Sequence, residues 1–216
     1  MTAEGEALLA ELASRHPSLA GVIPSLRQAV EMVRSSLTAG GVLYLAGNGG
    51  SAADAEHIAG ELLKGFLKHR RLTPEQRRRL LDVCGPEAGA ELAARLQGGL
   101  RAVALTGHPA LTSAVCNDIG AELVYAQQLY ALGRPGDVFL GLSTSGNARN
   151  VILAAHVARA LGLRVIGLTG CDGGALAGLC DVPVRVPARR TFEVQELHLP
   201  LYHAFCALLE AAFFAE

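Results

Sequence analysis

Apolar positions follow two rhythms along this chain. Over Glu6–Arg15 and Ile23–Ala39 they recur at helical spacing, with Pro17 after the first stretch and Pro24 opening the second, which predicts two helices ahead of any strand. Short apolar runs follow at Val42–Ala46, Ala102–Thr106, Val138–Leu142, Arg164–Thr169 and Val182–Val186, with helical patterns between most of them. Strands buried on both faces read this way, so the pattern predicts an α/β fold built on a five-stranded parallel sheet. The two N-terminal helices, over residues 1–40, lie outside the alternating part. Their apolar faces can cover the parent sheet or pack against another copy of the chain.

Two of the runs end in the same way. VLYLAGNGGSA at Val42–Ala52 and VFLGLSTSGNA at Val138–Ala148 each pass from an apolar strand through a Gly/Ser turn into a helix. Backbone N–H groups at such a turn point outward and the helix that follows adds the positive end of its dipole, so each repeat is a site for an anion. In a parallel sheet ligands sit at the carboxyl ends of the strands, where both turns are. The connection over residues 66–100 is long for an α/β unit and predicts one or two short helices of its own. Its charges, Lys68–Arg71 and the arginines of Pro74–Arg79, read as a solvated face and are assigned no chemistry.

Composition narrows the setting. A chain of 216 residues, 50% hydrophobic, can bury the core of one domain. A net charge of -1 supplies no drive toward nucleic acid or an acidic membrane surface. The five cysteines (Cys84, Cys116, Cys171, Cys180 and Cys206) form no CxxC pair and read as reduced, mostly packed thiols. The N-terminal stretch is acidic and amphipathic, and no run is long enough to cross a bilayer, so a cytoplasmic protein is expected.

Candidate chemistry begins in the helix after the first turn. Ala55, Ile58, Ala59, Leu62 and Phe66 form its apolar stripe, and His57 and Glu61 stand four apart beside it. Such a pair can be an ordinary surface pair, can place imidazole and carboxylate on one metal, or can set a base beside an orienting partner. In the last helical segment Leu197, Leu201, Phe205 and Leu208 form the stripe, with Gln195, Glu196, His198 and His203 beside it. Eight residues of ideal helix rise about 12 Å, so Gln195 and His203 share a ligand only if it lies between two extended side chains, and Pro200 disturbs the turn between them. His16, His69, His108, His156 and His198 stay without a role.

Taken together, GlyAsnGlyGlySer at Gly47–Ser51, HisIleAlaGlyGlu at His57–Glu61, AsnAsp at Asn117–Asp118, SerThrSerGlyAsn at Ser143–Asn147, LeuThrGlyCysAspGlyGly at Leu168–Gly174 and Gln195–His203 resemble the phosphoheptose isomerases of the sugar-isomerase (SIS) domain superfamily. The order and rough spacing match over nearly the whole chain. The resemblance implies a three-layer, flavodoxin-like SIS domain over residues 1–216, a homotetramer with active sites at subunit contacts, and zinc. It implies metal ligands at His57, Glu61, Gln195 and His203, and substrate contacts at Asn48, Gly49, Gly50, Ser51, Glu61, Asn117, Asp118, Ser143, Thr144, Ser145 and Gln195. The implied reaction is an aldose–ketose isomerisation of sedoheptulose 7-phosphate to D-glycero-D-manno-heptose 7-phosphate. Glu61 would shuttle the carbon-bound proton through an enediol, and His203 would serve the oxygen end.

The chain also departs from that pattern. Ala148 stands where a further phosphate-contacting serine is common, Phe192 where an acidic residue precedes the glutamine, and Gly65, next to Lys64, where an arginine often follows the glutamate. These differences and the long 66–100 segment bear on which sugar phosphate is bound. A non-enzymatic SIS sensor or a regulator of the replication initiator is the rival reading, but such relatives typically lose the glutamate and the terminal histidine that persist here as Glu61 and His203. An aminosugar-phosphate enzyme or etherase would lack the His57/Glu61/Gln195/His203 set. A nucleotide-binding Rossmann protein would need GxGxxG spacing, which AlaGlyAsnGlyGlySer lacks.

Overall fold

The five apolar runs pair side by side, all parallel, in the order β2-β1-β3-β4-β5. The computed structural model describes residues 2–214. Its elements are α1 (Ala3–Arg15), α2 (Ile23–Thr38), β1 (Leu43–Ala46), α3 (Gly50–Leu63), α4 (Pro74–Cys84), α5 (Pro86–Arg95), β2 (Ala102–Ala104), α6 (Pro109–Asp118), α7 (Val124–Leu132), β3 (Val138–Ser143), α8 (Arg149–Ala160), β4 (Arg164–Thr169), α9 (Gly174–Ala177), β5 (Val182–Arg185) and α10 (Thr191–Phe213). Leu45 of β1 lies opposite Ala104 of β2 on one side and Leu140 of β3 on the other. Strand order reverses between β1 and β3, and both Gly/Ser turns follow these two strands, at the switch point where open α/β sheets bind ligands.

Side chains alternate across the strands and divide the core in two. Leu43 and Leu45 face Leu26 and Val33 of α2, Ile58 and Leu62 of α3, and Leu201 and Phe205 of α10. Tyr44 and Phe139 face the other way, onto Leu129 of α7 and Val151, Ala154 and Ala158 of α8. Of the N-terminal pair, α2 covers its own sheet and supplies core residues, while α1 packs against α10.

Within the 66–100 connection the expected helices are α4 and α5. Thr73 caps α4 reciprocally with Gln76, and Pro74 occupies the first turn. The two helices pack on each other as a hairpin; α4 buries no residue and α5 only Gly89. The basic run corrects the sequence reading most sharply at Arg70, which is 1% exposed. Its guanidinium donates to the carbonyls of Glu61 (2.8 Å) and Leu62 (2.6 Å) at the end of α3 and to Glu210 Oε1 of α10 (2.7 Å). The last carbonyls of α3 thus bond a cation from the loop that follows, the Leu62 carbonyl also accepting from the Leu100 amide at 2.8 Å. The cysteines also differ from expectation: Cys206 is buried, while Cys84 and Cys116 are exposed, the former on a hairpin that packs on little besides itself. Among the described residues no helix is long and apolar enough to cross a membrane.

Candidate active site

Each Gly/Ser turn is shaped by contacts that only glycine permits. At the first, Gly49 has φ +56°, and a Cβ on Gly47 would lie 2.5 Å from the Ser51 carbonyl oxygen. Ser51 and Ala52 amides return to the Asn48 and Gly49 carbonyls, so the turn runs directly into α3 with Ser51 buried. At the second, Gly146 has φ +67° and is pressed so close to Gly173 that a Cβ would sit 2.0 Å from its carbonyl oxygen. Asn147 braces it, donating to the Ser145 carbonyl and accepting from the Ala175 amide. Ser143 is buried, Thr144 half-buried and Ser145 exposed. Asn48 of the first turn and Asn150 of α8 bond each other through their side-chain amides, and Tyr125 of α7 donates to the Gly47 carbonyl. The two turns thus form one braced cradle at the switch point.

The second part of the site lies where α3 and α10 run side by side in the same direction. Gly50 meets Gln195 at their starts, His57 meets Tyr202 and His203 two turns on, and the Phe66 amide meets Glu210 further along. His57 Nε2 is 3.2 Å from Glu61 Oε1, and the His203 ring stands edge-on to the His57 ring, with centroids 5.1 Å apart. His57 Nδ1 is 3.0 Å from the Tyr202 hydroxyl, which donates to Asp54 Oδ1 at 3.2 Å. Lys64, next to Gly65, lies 3.4 Å from Glu61 Oε2.

Partial burial sets the electrostatics. Desolvation and the neighbouring His57 push the His203 pKa below its usual value against the pull of Glu61, which favours the neutral ring. Burial raises the Asp54 carboxyl, with the Tyr202 hydroxyl and His57 drawing it back. The same burial, and then Asp54, raises the Tyr202 hydroxyl. Glu210 is pushed up by burial but falls below the carboxylate range overall, because the Phe66 and Leu67 amides and the Arg70 guanidinium outweigh that push. A cavity of about 590 Å³ opens beside His203 between α1 and α10, with Leu12, Arg15, Phe66 and Pro200 in its wall.

The structure therefore sets Glu61 and His203 each against His57. It sets Gln195 at the other end of the row, where its amide nitrogen would be 2.3 Å from a Cβ on Gly50. Asn117 and Asp118 are exposed at the end of α6, bonded to each other at 2.8 Å, and among the described residues no hydrogen bond joins them to the cradle or to His57. No group of three or more His, Cys, Asp or Glu converges on one point among the described residues. The His57 and Glu61 pair does fit a metal edge: ligands about 2.0–2.1 Å from a tetrahedral ion stand about 3.3 Å apart, and these donors are 3.2 Å apart. Sequence reasoning missed Asn150, Tyr125, Asp54 and Tyr202. Asp54, three residues before His57 on the same helix face, carried the one local signal.

Comparison with known proteins identifies the family. The SIS domain family matches residues 18–77 and 86–170. The phosphoheptose isomerase of Rhodospirillum rubrum is 40% identical over 189 residues, 88% of this chain and 86% of that protein. The solved phosphoheptose isomerase GmhA of Neisseria gonorrhoeae is 35% identical and superposes with a TM-score of 0.73 over 95% of this chain and 96% of its own. That of Francisella tularensis, at 29% identity, also gives 0.73, over 98% and 100%. The chain belongs to the SIS domain family and, within it, to the phosphoheptose isomerases.

Proposed function

We propose that this protein is an aldose–ketose isomerase acting on a phosphorylated sugar, converting sedoheptulose 7-phosphate to D-glycero-D-manno-heptose 7-phosphate. The observation that supports this reading is that Glu61 and His203 both lie against His57, at the α3–α10 contact whose first turn belongs to the Gly/Ser cradle. The cradle, with Asn48, Gly49, Gly50, Ser51, Ser143, Thr144 and Ser145, takes the phosphate, and Gln195 at Gly50 lies between it and the reacting end. Asn117 and Asp118 complete the substrate contacts.

Isomerisation moves a proton between adjacent carbons while two oxygens exchange roles. Glu61 removes the proton from C1 of the open-chain ketose and returns it to C2 of the enediol. His203, neutral before the step, takes the proton from the C1 hydroxyl and delivers one to the C2 oxygen, so the reaction closes without net gain or loss of electrons or protons. Phosphate binding holds the chain extended between cradle and base, spending remote binding energy on orientation. His57, Glu61, Gln195 and His203 are the residues that would hold a divalent metal, zinc, with His57 and Glu61 already at ligand spacing. Such an ion, when bound, would polarise the sugar oxygens. The protein works in the cytoplasm as a homotetramer of single SIS domains, with its sites at subunit contacts.

The test is a panel of sugar phosphates headed by sedoheptulose 7-phosphate, followed by NMR with and without a chelator. Interconversion of the heptose phosphates is the expected result; binding without turnover of any member would make the protein a sugar-phosphate sensor instead.

A further inference from the structure

We propose that the cavity between the Lys68–Arg71 run and the α4–α5 hairpin binds a small phosphomonoester, at a site separate from the Gly/Ser cradle. The cavity measures about 270 Å³; His69, Arg71 and Arg77 supply its polar wall, and Leu72, Ala93, Ala94 and Leu96 its apolar wall. Two guanidiniums thus converge from different elements, one from the loop and one from α4, and among the described residues no carboxylate lines the space. Neither Arg71 nor Arg77 has an ion-pair partner among the described residues, while Glu91 on the same hairpin is engaged by Arg95 one turn further along α5. Cations gathered in one cavity without a counter-charge repel each other, and a bound anion removes that repulsion.

The backbone that carries these cations is fixed from behind. Residues 69–71 form a three-residue turn, closed by the Arg71 amide on the His69 carbonyl at 2.9 Å. Arg70 at its apex points inward to Glu210 and the last carbonyls of α3, and its own carbonyl accepts from the Gly98 amide at 2.7 Å. Arg71 bridges Gln97, and the reciprocal cap between Thr73 and Gln76 fixes where α4 begins, one turn ahead of Arg77. Loop and helix are therefore placed before any ligand arrives, which lowers the ordering cost of binding. A guanidinium fork engages phosphate oxygens in pairs, so two forks suit a doubly charged phosphomonoester. The apolar wall takes the organic group of the ester. A net charge of -1 gives the chain no general attraction for a polynucleotide.

Alanine-methyl NMR of the full-length protein, titrated with butyl phosphate in excess chloride, tests this without reference to the isomerase reading. Ala93 and Ala94 report the cavity, Ala52 and Ala148 the cradle. Saturable shifts at Ala93 and Ala94 are expected in the wild type, and Arg71→Gln with Arg77→Gln should weaken them at least about tenfold while shifts at Ala52 and Ala148 persist. Both arginines are exposed, and should the double variant not fold, Arg77→Gln alone reports the same difference. Silence at Ala93 and Ala94, equal affinity in the folded variant, or shifts there with duplex DNA and none with butyl phosphate would overturn the site. Silence at Ala52 and Ala148 alone would instead count against the cradle and leave this site standing.

Discussion

Asn48 and Asn150 exchange two side-chain hydrogen bonds, each 2.9 Å long, across 102 residues of chain. The pair ties the turn after β1 to the helix that follows the turn after β3, so the phosphate cradle is one object instead of two loops. A net hydrogen bond is worth about 0.5–1.5 kcal/mol, and Asn150→Ala removes both while Asn48 keeps Tyr125 nearby. KM for the sugar phosphate is expected to rise about tenfold with kcat little changed, since the loss affects ground state and transition state alike. Steady-state kinetics check this; an equal fall in kcat would move Asn150 to the reacting end.

Glu61 and His203 are expected to fail differently from the cradle. Glu61→Gln keeps the shape and removes the base, so inhibitor binding should persist while kcat falls by about 10²- to 10⁴-fold. Exchange of solvent deuterium into the sugar should disappear with it. Deuterium incorporation at the wild-type rate would exclude Glu61 as the base.

The Arg70–Glu210 pair anchors the end of α3 that carries Glu61. Glu210 accepts from the Phe66, Leu67 and Lys68 amides at 2.9, 2.7 and 3.1 Å as well as from Arg70. Breaking a buried pair from one side costs about 3–5 kcal/mol, and Arg70→Leu is expected to fall in that range by urea unfolding. For an isolated pair, replacing both partners by apolar residues restores much of the stability. Here Arg70→Leu with Glu210→Met should not, because three amides would remain unpaired. Full recovery in the double variant would show that those amides find other partners.

What could be read in the chain was what local chemistry encodes. The strand runs and the glycines at 47, 49 and 146 carry period and backbone constraints within a few residues, and the sheet and both turns follow from them. His57 and Glu61 announced themselves by four-residue spacing. Arg70 sat in a run of charges and gave no sign of its carboxylate partner 140 residues on, and the Asn48–Asn150 bond spans a comparable gap. Tyr202 lay between a core leucine and His203, and only the contact between α3 and α10 turns it toward Asp54. Residues whose role depends on a distant partner are the ones that periodicity cannot reveal.

His198, given no role by its sequence context, makes stability depend on pH. It is fully buried on α10, and neither ring nitrogen meets the geometry of a hydrogen bond among the described residues. Burial pushes its pKa down to about 4 against the pull of the Thr169 backbone. In the unfolded chain the ring titrates near the ordinary value of about 6.5. Above that pH both states are neutral and His198 adds no pH dependence. As pH falls from about 6.5 toward 4 the unfolded chain takes up the proton first, so stability drops, and below about 4 the loss levels off. Between pH 7 and pH 5 the loss from this ring is on the order of 2 kcal/mol. His198→Leu, apolar and of similar size, should flatten that part of the profile, while Glu210, present in both proteins, contributes equally to each. Urea unfolding of the two proteins at pH 7 and pH 5 measures the difference, and parallel profiles would mean that the ring keeps an ordinary pKa inside the fold.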